Sequence, residues 1–501
     1  MGSIGTTPYG RRLFPTHLDE IARTNPGRVY AAIPKTADVK DGFLDVTIGD
    51  IARCANFMAR WIEDKFGKSR NFETIGSLDY QTSELFLESP RNPTATNVAL
   101  LEQTGCTKVL YSSELALLIE PYRSIAPSSH SFDEVPSFLE MLHSSPDHYP
   151  YDKSFDEAKD DPILVIHSSG STGLPRPIQY THGTFAAHDR EHLLPAPAGR
   201  KKRDISFFEF REEARIYVPS AFFHLSGFVF YTFHTIFNTA NIVIGPPHIP
   251  PHVGLIVDIA QQQNLRGIMV PPAIMEQLLQ EPTGMDIYNH LEFVVHGGAP
   301  LSPEIGALLA PVVNLMEFYG SSETFPLPEL FKDPADFHYH EFNPNLKFEM
   351  QLYDADEGTY EFVLFAKEAD IDTVPLCHNY PGVEVYHTKD LFTRHPTKEN
   401  LWKYFGRTDD IIVLATGDKN QTALIVEPKQ SLDATAREDL LQTLWPHIEQ
   451  SNASLPGKVR VAQDKIICTT PDRPFARTGK VTIMRGPSEK LYQQELEAIY
   501  S

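Results

Sequence analysis

Short apolar runs of strand length alternate along the chain with stretches of helical spacing, and each run soon gives way to Gly, Pro or Ser. Residues 163–166, 242–244 and 293–295 are the clearest runs. This rhythm predicts layered α/β architecture. Helix entries are legible as well. Ser302-Pro303-Glu304 places a cap, a first-turn proline and a dipole-favoured carboxylate ahead of 305–309. Ser488 is expected to open the last helix, with Leu491, Leu496 and Ile499 on its buried face. The proline-rich stretches 195–197 and 245–251 read as loops rather than boundaries. A domain boundary is expected at Gly406-Arg407-Thr408-Asp409-Asp410, which leaves about 90 residues for a small second domain.

Composition narrows the class. With 41% hydrophobic and 22% charged residues over 501 positions, the chain has enough apolar material for a large core and a further domain. A formal charge of -22 argues against general nucleic-acid or membrane-surface binding, because a polyanion would be repelled over most of the surface. It does not exclude nucleotides, whose phosphates are met locally by backbone N–H groups, a few cations and a metal. Cys54, Cys106, Cys377 and Cys468 show no CxxC spacing, so they read as reduced, buried thiols rather than a disulfide frame or zinc site. No apolar run has signal-peptide or membrane-span length, which makes cytoplasm the expected location.

The 163–166 run delivers a loop of hydroxyls and glycines: Ser168, Ser169, Gly170, Ser171, Thr172, Gly173, then Leu174-Pro175-Arg176. The glycines permit close backbone approach, and the hydroxyls suit anionic oxygens, a combination fitted to polyphosphate. No GK[ST] closes the loop, so the Walker pattern is excluded.

In this order with three further motifs, the loop resembles the signature of the adenylate-forming superfamily, which holds acyl-CoA synthetases, luciferases and peptide-synthetase adenylation domains. The other motifs are Tyr319-Gly320-Ser321-Ser322-Glu323-Thr324, then Asp390 with Gly406-Arg407 about 17 residues on, and finally Arg477-Thr478-Gly479-Lys480. The resemblance implies a large multi-layer N-terminal domain (1–406) for ATP and acid, a hinge at 407–410 centred on Asp409, and a small mobile C-terminal α+β domain (411–501). It also implies ATP or AMP held by the hydroxyl loop and by Gly298, Ala299, Pro300, Tyr319, Gly320, Ser321, Ser322, Thr324, Asp390 and Arg407. Glu323 is the expected magnesium ligand, because a hard cation bridging phosphates takes one or two protein carboxylates. Asp390 would accept the ribose hydroxyls and Arg407 would donate to ribose or phosphate.

Lys480, His224 and Thr172 are the catalytic groups that the resemblance implies. Lys480 would offset charge as a carboxylate attacks the α-phosphorus, then leave when the small domain turns to admit a pantetheine thiol. Gly417 would face that thiol. His224, Phe223, Gly297 and Gly298 would border the acid. Relatives that activate amino acids carry an Asp near this helix start, whereas 220–227 holds no carboxylate, so an aryl or apolar acid without an α-amine is expected.

Ser89-Pro90-Arg91-Asn92 and the 491–496 run are most similar to adenylation domains of fungal carboxylic acid reductases, in which a carrier domain and an NADPH-dependent reductase follow. Neither follows within these 501 residues, so the chain is expected to be an activation module of a longer parent. The rival readings are a free-standing aryl or acyl-CoA ligase and a nucleotide-binding module without turnover. Two stretches are shorter than the resemblance calls for, after Phe86 and at Asn420-Gln421. Arg176 replaces a lysine common in the loop, keeping charge but not reach. His188-Asp189-Arg190-Glu191-His192 matches an inverted zinc-peptidase pattern and is expected to be a solvated helix instead, with prolines directly after it.

Overall fold

The computed structural model describes residues 7–69, 72–78, 85–87, 94–168, 175–203, 205–247, 249–297, 301–366, 374–408, 422–428, 432–453, 460–477, 483 and 485–500. Two mostly parallel sheets form the body. One runs in the order Asn314–Glu317, Phe293–His296, Leu265–Met269, Arg215–Tyr217, Ile242–Val243, Val29–Pro34 and Phe43–Thr47, with only the last pair antiparallel. The other runs Ser131–Glu134, Lys108–Tyr111, Ile75–Leu78, Leu85–Leu87, Pro162–His167 and Pro177–Thr181, again antiparallel only at the end. Inner strands such as Phe293–His296 and Pro162–His167 are short apolar runs, as expected where a parallel sheet is covered on both faces.

The main core lies between these sheets. Leu164, Ile166 and Tyr180 from the six-stranded sheet share one buried cluster with Ala31, Ile216 and Val295 from the seven-stranded sheet. Between them sit the helix His182–Asp189 and the helix Leu225–Phe228, which continues as the π-helical turn Val229–His234. Phe185, Phe228 and Phe233 fill that middle layer. Large rings suit the space, because each buries a broad apolar surface at low entropic cost.

A separate four-stranded antiparallel sheet is made of Phe348–Asp354, Thr359–Phe365, Val385–Arg394 and Trp402–Arg407. Gly406 and Arg407, expected at a boundary, close its last strand. The C-terminal region contributes a parallel pair, Thr422–Val426 with Val461–Cys468, and the helix Ala434–Ala453.

Three expectations are met in detail. The 163–166 and 293–295 runs are inner strands, each one in from an edge, and Ser302 caps Pro303–Leu309 by accepting from the Ile305 N–H. Two need correction. The last helix divides into Arg485–Leu491 and Gln493–Tyr500, with Leu491 exposed and Tyr492 buried in its place. Tyr492 is anchored by polar contacts, accepting from the Thr470 N–H and donating to the Arg473 carbonyl, which an apolar pattern does not reveal.

The His188–His192 segment is not solvated. His182–Asp189 is buried along its whole length, and Asp189 accepts from the Gly10 N–H at 2.6 Å and from Arg12, Nε at 3.0 Å. Sequence polarity misleads here because the polar groups pair with one another across the core, which lowers the cost of burying them.

Candidate functional site

The phosphate loop has a fixed stem. Ser168 and Arg176 face each other across it: the Ser168 N–H donates to the Arg176 carbonyl at 2.9 Å, and the Arg176 N–H donates to Ser168 Oγ at 3.1 Å. Below them His167 pairs with Pro177 in antiparallel register. Ser169, Gly170, Ser171, Thr172, Gly173 and Leu174 lie outside the described residues, as do Gly298, Ala299, Pro300, Asp409, Gly417, Lys480 and the short joint at Asn420-Gln421. Of the short stretch after Phe86, Leu87 is described and residues 88–93 lie outside.

The segment 319–324 is a tight hairpin beside that stem. Gly320 pairs with Pro326 and Ser321 with Phe325. A Cβ on Gly320 would stand 2.1 Å from the Phe325 carbonyl oxygen, so only glycine fits. The Thr324 hydroxyl accepts from the Ser321 N–H at 3.1 Å and donates to the Phe325 carbonyl at 3.0 Å, which makes it a brace of the turn. Phe325 itself, fully buried, has φ +59, a conformation that bulky residues rarely adopt. Lys389, next to Asp390, is also left-handed at φ +66. Such outliers cluster where a site constrains the backbone.

Side chains missed in the sequence tie the hairpin to the loop stem. Tyr180, on the strand leaving the loop, donates to the Ser322 carbonyl at 2.6 Å. Asn379 donates to the Glu323 carbonyl and accepts from Thr184 on the buried helix, both at 2.8 Å. No local signal marks these residues, because each acts across more than 50 positions of sequence. Among the described residues the Glu323 carboxylate forms no ion pair or hydrogen bond, and no group of three metal-ligating side chains occurs. One unengaged carboxylate fits a magnesium ion completed by phosphate and water, which would supply charge neutralisation for the phosphates.

Tyr319 and Asp390 are brought together directly. The phenol donates to Asp390 Oδ2 at 2.6 Å, and Arg407 Nη1 reaches Asp390 Oδ1 at 3.2 Å. Burial, with the adjacent Asp390 carboxylate, pushes the Tyr319 phenol well above its ordinary pKa. Phe362 and Phe392 meet the Tyr319 ring edge to face at 5.6 and 5.2 Å, fixing its plane. Asp390 and Arg407 are register partners on adjacent strands, which explains their spacing.

His224 caps Leu225–Phe228. Its Nδ1 accepts from the Ser226 N–H at 3.3 Å. Gly227 lets this cap close: a Cβ there would lie 2.0 Å from the Ala221 carbonyl oxygen. Phe223 is a core residue, 2% exposed. Gly297 ends the Phe293–His296 strand, with its Cβ direction facing the Phe318 carbonyl at 3.3 Å.

Two cavities lie near these groups. One of about 270 Å³ is apolar and lined by Phe14, Tyr30, Cys54, Met58, Phe222 and Tyr231, and includes none of the sequence-predicted site residues. A second, of only about 10 Å³, lies behind Phe318 and Pro326, the two residues flanking the 319–325 hairpin.

By the family it matches, the chain is an acyl-adenylate-forming ligase. The chain belongs to the AMP-binding enzyme family, whose pattern matches residues 89–360, and the family's C-terminal domain matches 408–501. Among curated proteins it is 28% identical over 540 residues to a carboxylic acid reductase of Neurospora crassa, covering 98% of this chain and 51% of the relative. It is also 28% identical to the adenylate-forming reductase Nps11 of Serpula lacrymans, covering 83% of this chain and 41% of the relative. The chain therefore spans about half or less of the length of these relatives.

Among solved structures it is similar to the anthranilate CoA ligase AuaEII in complex with anthranoyl-AMP, with TM-score 0.67, 13% identity and 98% and 99% of the two chains covered. ATP-bound MatB from Rhodopseudomonas palustris gives TM-score 0.67 at 11% identity, covering 97% and 100%. Among the described residues, no helix is long and apolar enough to cross a membrane.

Proposed function

We propose that the chain adenylates a carboxylic acid lacking an α-amine, and passes the acyl group to the phosphopantetheine thiol of a carrier domain in a longer parent protein. The observation that carries this reading is that Tyr319, which opens the hairpin bearing Glu323, is bonded to Asp390, and Asp390 to Arg407. In the first step a carboxylate oxygen attacks the α-phosphorus of ATP, and the bond to pyrophosphate breaks. In the second a thiol sulfur attacks the acyl carbonyl, and AMP leaves. Asp390 takes the ribose hydroxyls, Tyr319 presents its face to adenine, and Thr172 with its neighbours meets the phosphates. Lys480 offsets the charge that develops in the first step and withdraws when residues 411–501 turn about Asp409. NADPH belongs to a reductase beyond this chain.

The similarity to carboxylic acid reductases supports the carrier as acceptor. A second reading, a free-standing CoA ligase, draws support from the nearly full-length likeness to AuaEII. Acid-dependent exchange of labelled pyrophosphate into ATP tests the first step, across benzoic, cinnamic and aliphatic acids. Coenzyme A and a pantetheinylated carrier, offered side by side, then separate the two acceptors. Thioester on the carrier alone supports the module reading, and no exchange with any acid contradicts adenylation.

A further inference from the structure

Two consecutive residues of the strand that leaves the phosphate-loop stem reach two consecutive carbonyls of the 319–325 hairpin. Tyr180 bonds the Ser322 carbonyl directly at 2.6 Å. Thr181 reaches the next carbonyl, that of Glu323, through a relay. The Thr181 N–H donates to the Thr184 hydroxyl at 2.9 Å, that hydroxyl donates to Asn379 Oδ1 at 2.8 Å, and Asn379 Nδ2 donates to the Glu323 carbonyl at 2.8 Å. Thr184 and Asn379 are both buried, so the relay runs almost wholly out of water, where such bonds are electrostatically stronger.

The direction of the relay follows from its chemistry. A hydroxyl that accepts from a backbone N–H has its one proton left for another partner, so Thr184 donates to Asn379. The amide therefore turns its oxygen to Thr184 and its NH2 to Glu323. The relay also needs a close approach. A Cβ on Gly183 would stand 2.3 Å from His378 Nδ1, so a glycine there leaves room for the His378 ring. The short helix Leu376–Asn379, which carries His378 and Asn379, can then lie against the buried helix His182–Asp189.

Glu323 is thus held on both sides of its side chain. Its N–H donates to Ser321 Oγ at 3.2 Å and its carbonyl accepts from Asn379, which engages the two backbone groups that set the Cα–Cβ direction. The relay begins at the end of Pro177–Thr181, the strand that leaves the loop stem, and ends at the residue proposed to hold the metal. One hydrogen-bonded chain therefore links the two elements between which the triphosphate is proposed to lie.

We infer that Asn379 is a positioning residue: through the Glu323 carbonyl it sets where the Glu323 carboxylate stands, and so how much magnesium tightens ATP binding. This inference rests on the reading of Glu323 as the magnesium ligand. Residues that orient a metal ligand typically change metal affinity by about 10–100-fold when they are removed.

Calorimetric titration of ATP into the full chain, once with magnesium chloride and once with EDTA in its place, tests it. Wild-type protein is expected to bind ATP more tightly with magnesium. Asn379→Asp and Asn379→Leu should weaken binding with magnesium by about tenfold, while metal-free affinity stays within about twofold. Thr184→Val cuts the relay one bond earlier and should give a smaller loss of the same kind, which Thr184→Ser, retaining the hydroxyl, should repair. Thermal midpoints identify a variant that fails to fold, and Thr184→Val keeps the inference testable should the Asn379 variants do so. Glu323→Gln separates the two claims: if it leaves the magnesium effect intact, the metal reading fails and this inference with it. If Glu323→Gln removes the effect while the Asn379 and Thr184 variants keep it, or if those variants weaken ATP equally with and without magnesium, Asn379 has a structural role only and the inference is overturned.

Discussion

The Tyr319 phenol donates to Asp390 Oδ2 at 2.6 Å although the two residues are 71 positions apart. That bond joins the 319–325 hairpin to the four-stranded sheet, so the proposed adenine platform and ribose acceptor form one rigid unit. A carboxylate held this way is pre-aimed, which lowers the ordering cost of binding.

Tyr319→Phe should therefore weaken ATP more than it slows chemistry. A hydrogen bond to a charged group contributes about 1.5–3 kcal/mol, so KM for ATP is expected to rise roughly tenfold or more while kcat changes less. Steady-state pyrophosphate release over an ATP series checks this. An unchanged KM would mean that the pair does not meet the nucleotide.

Gly227→Ala should damage the His224 cap. The added methyl would meet the Ala221 carbonyl oxygen at 2.0 Å, a backbone atom that cannot move alone. Overpacking of this kind costs about 1–3 kcal/mol. Both the denaturation midpoint and kcat/KM for the acid should fall, with KM for ATP moving least. A variant of wild-type stability and acid affinity would show that the segment relaxes freely.

Asp189→Ala should be among the most damaging substitutions in the chain. Asp189 is fully buried and holds both Arg12 and the Gly10 N–H, so its loss leaves a guanidinium without its partner. Breaking one side of a buried pair costs about 3–5 kcal/mol. Urea denaturation measures it, and replacing Arg12 by Met in the same chain should restore part of the loss.

Stability should fall on mild acidification. Burial lowers His188 to about 3, with Arg203 and His192 adding to the effect, and lowers His296 to about 4. The folded chain keeps these rings neutral while the unfolded chain binds protons at about 6.5. Their contribution is thus complete above that pH and is lost as pH falls from about 6.5 toward 4, on the order of 3 kcal/mol for His296. Denaturation midpoints from pH 8 to 4 should be flat and then drop, and His188→Phe should reduce the slope. A flat profile down to pH 4 would contradict the buried, neutral assignment.

What the sequence disclosed was local or periodic. The Asp390 to Arg407 spacing is a strand, a turn and a return strand, and it ends with the two side chains opposite each other. The Ser302 cap and the strands around 163–166 and 293–295 likewise depend on near neighbours. The 188–192 segment was misleading for the opposite reason. Its polarity reads as solvation, yet Arg12, far away in sequence, and Arg203, twelve positions beyond Glu191, supply partners inside the core. Tyr180 and Asn379 were silent because their function is to hold backbone carbonyls of a remote hairpin.

A crystal structure with a non-hydrolysable ATP analogue, magnesium and an aromatic acid tests the central claim most directly. Adenine against Tyr319, ribose hydroxyls on Asp390, a metal at Glu323, and the 169–174 loop with Lys480 around the phosphates are the predicted result. Nucleotide bound away from the Tyr319–Asp390 pair, with those side chains unmoved, would contradict it.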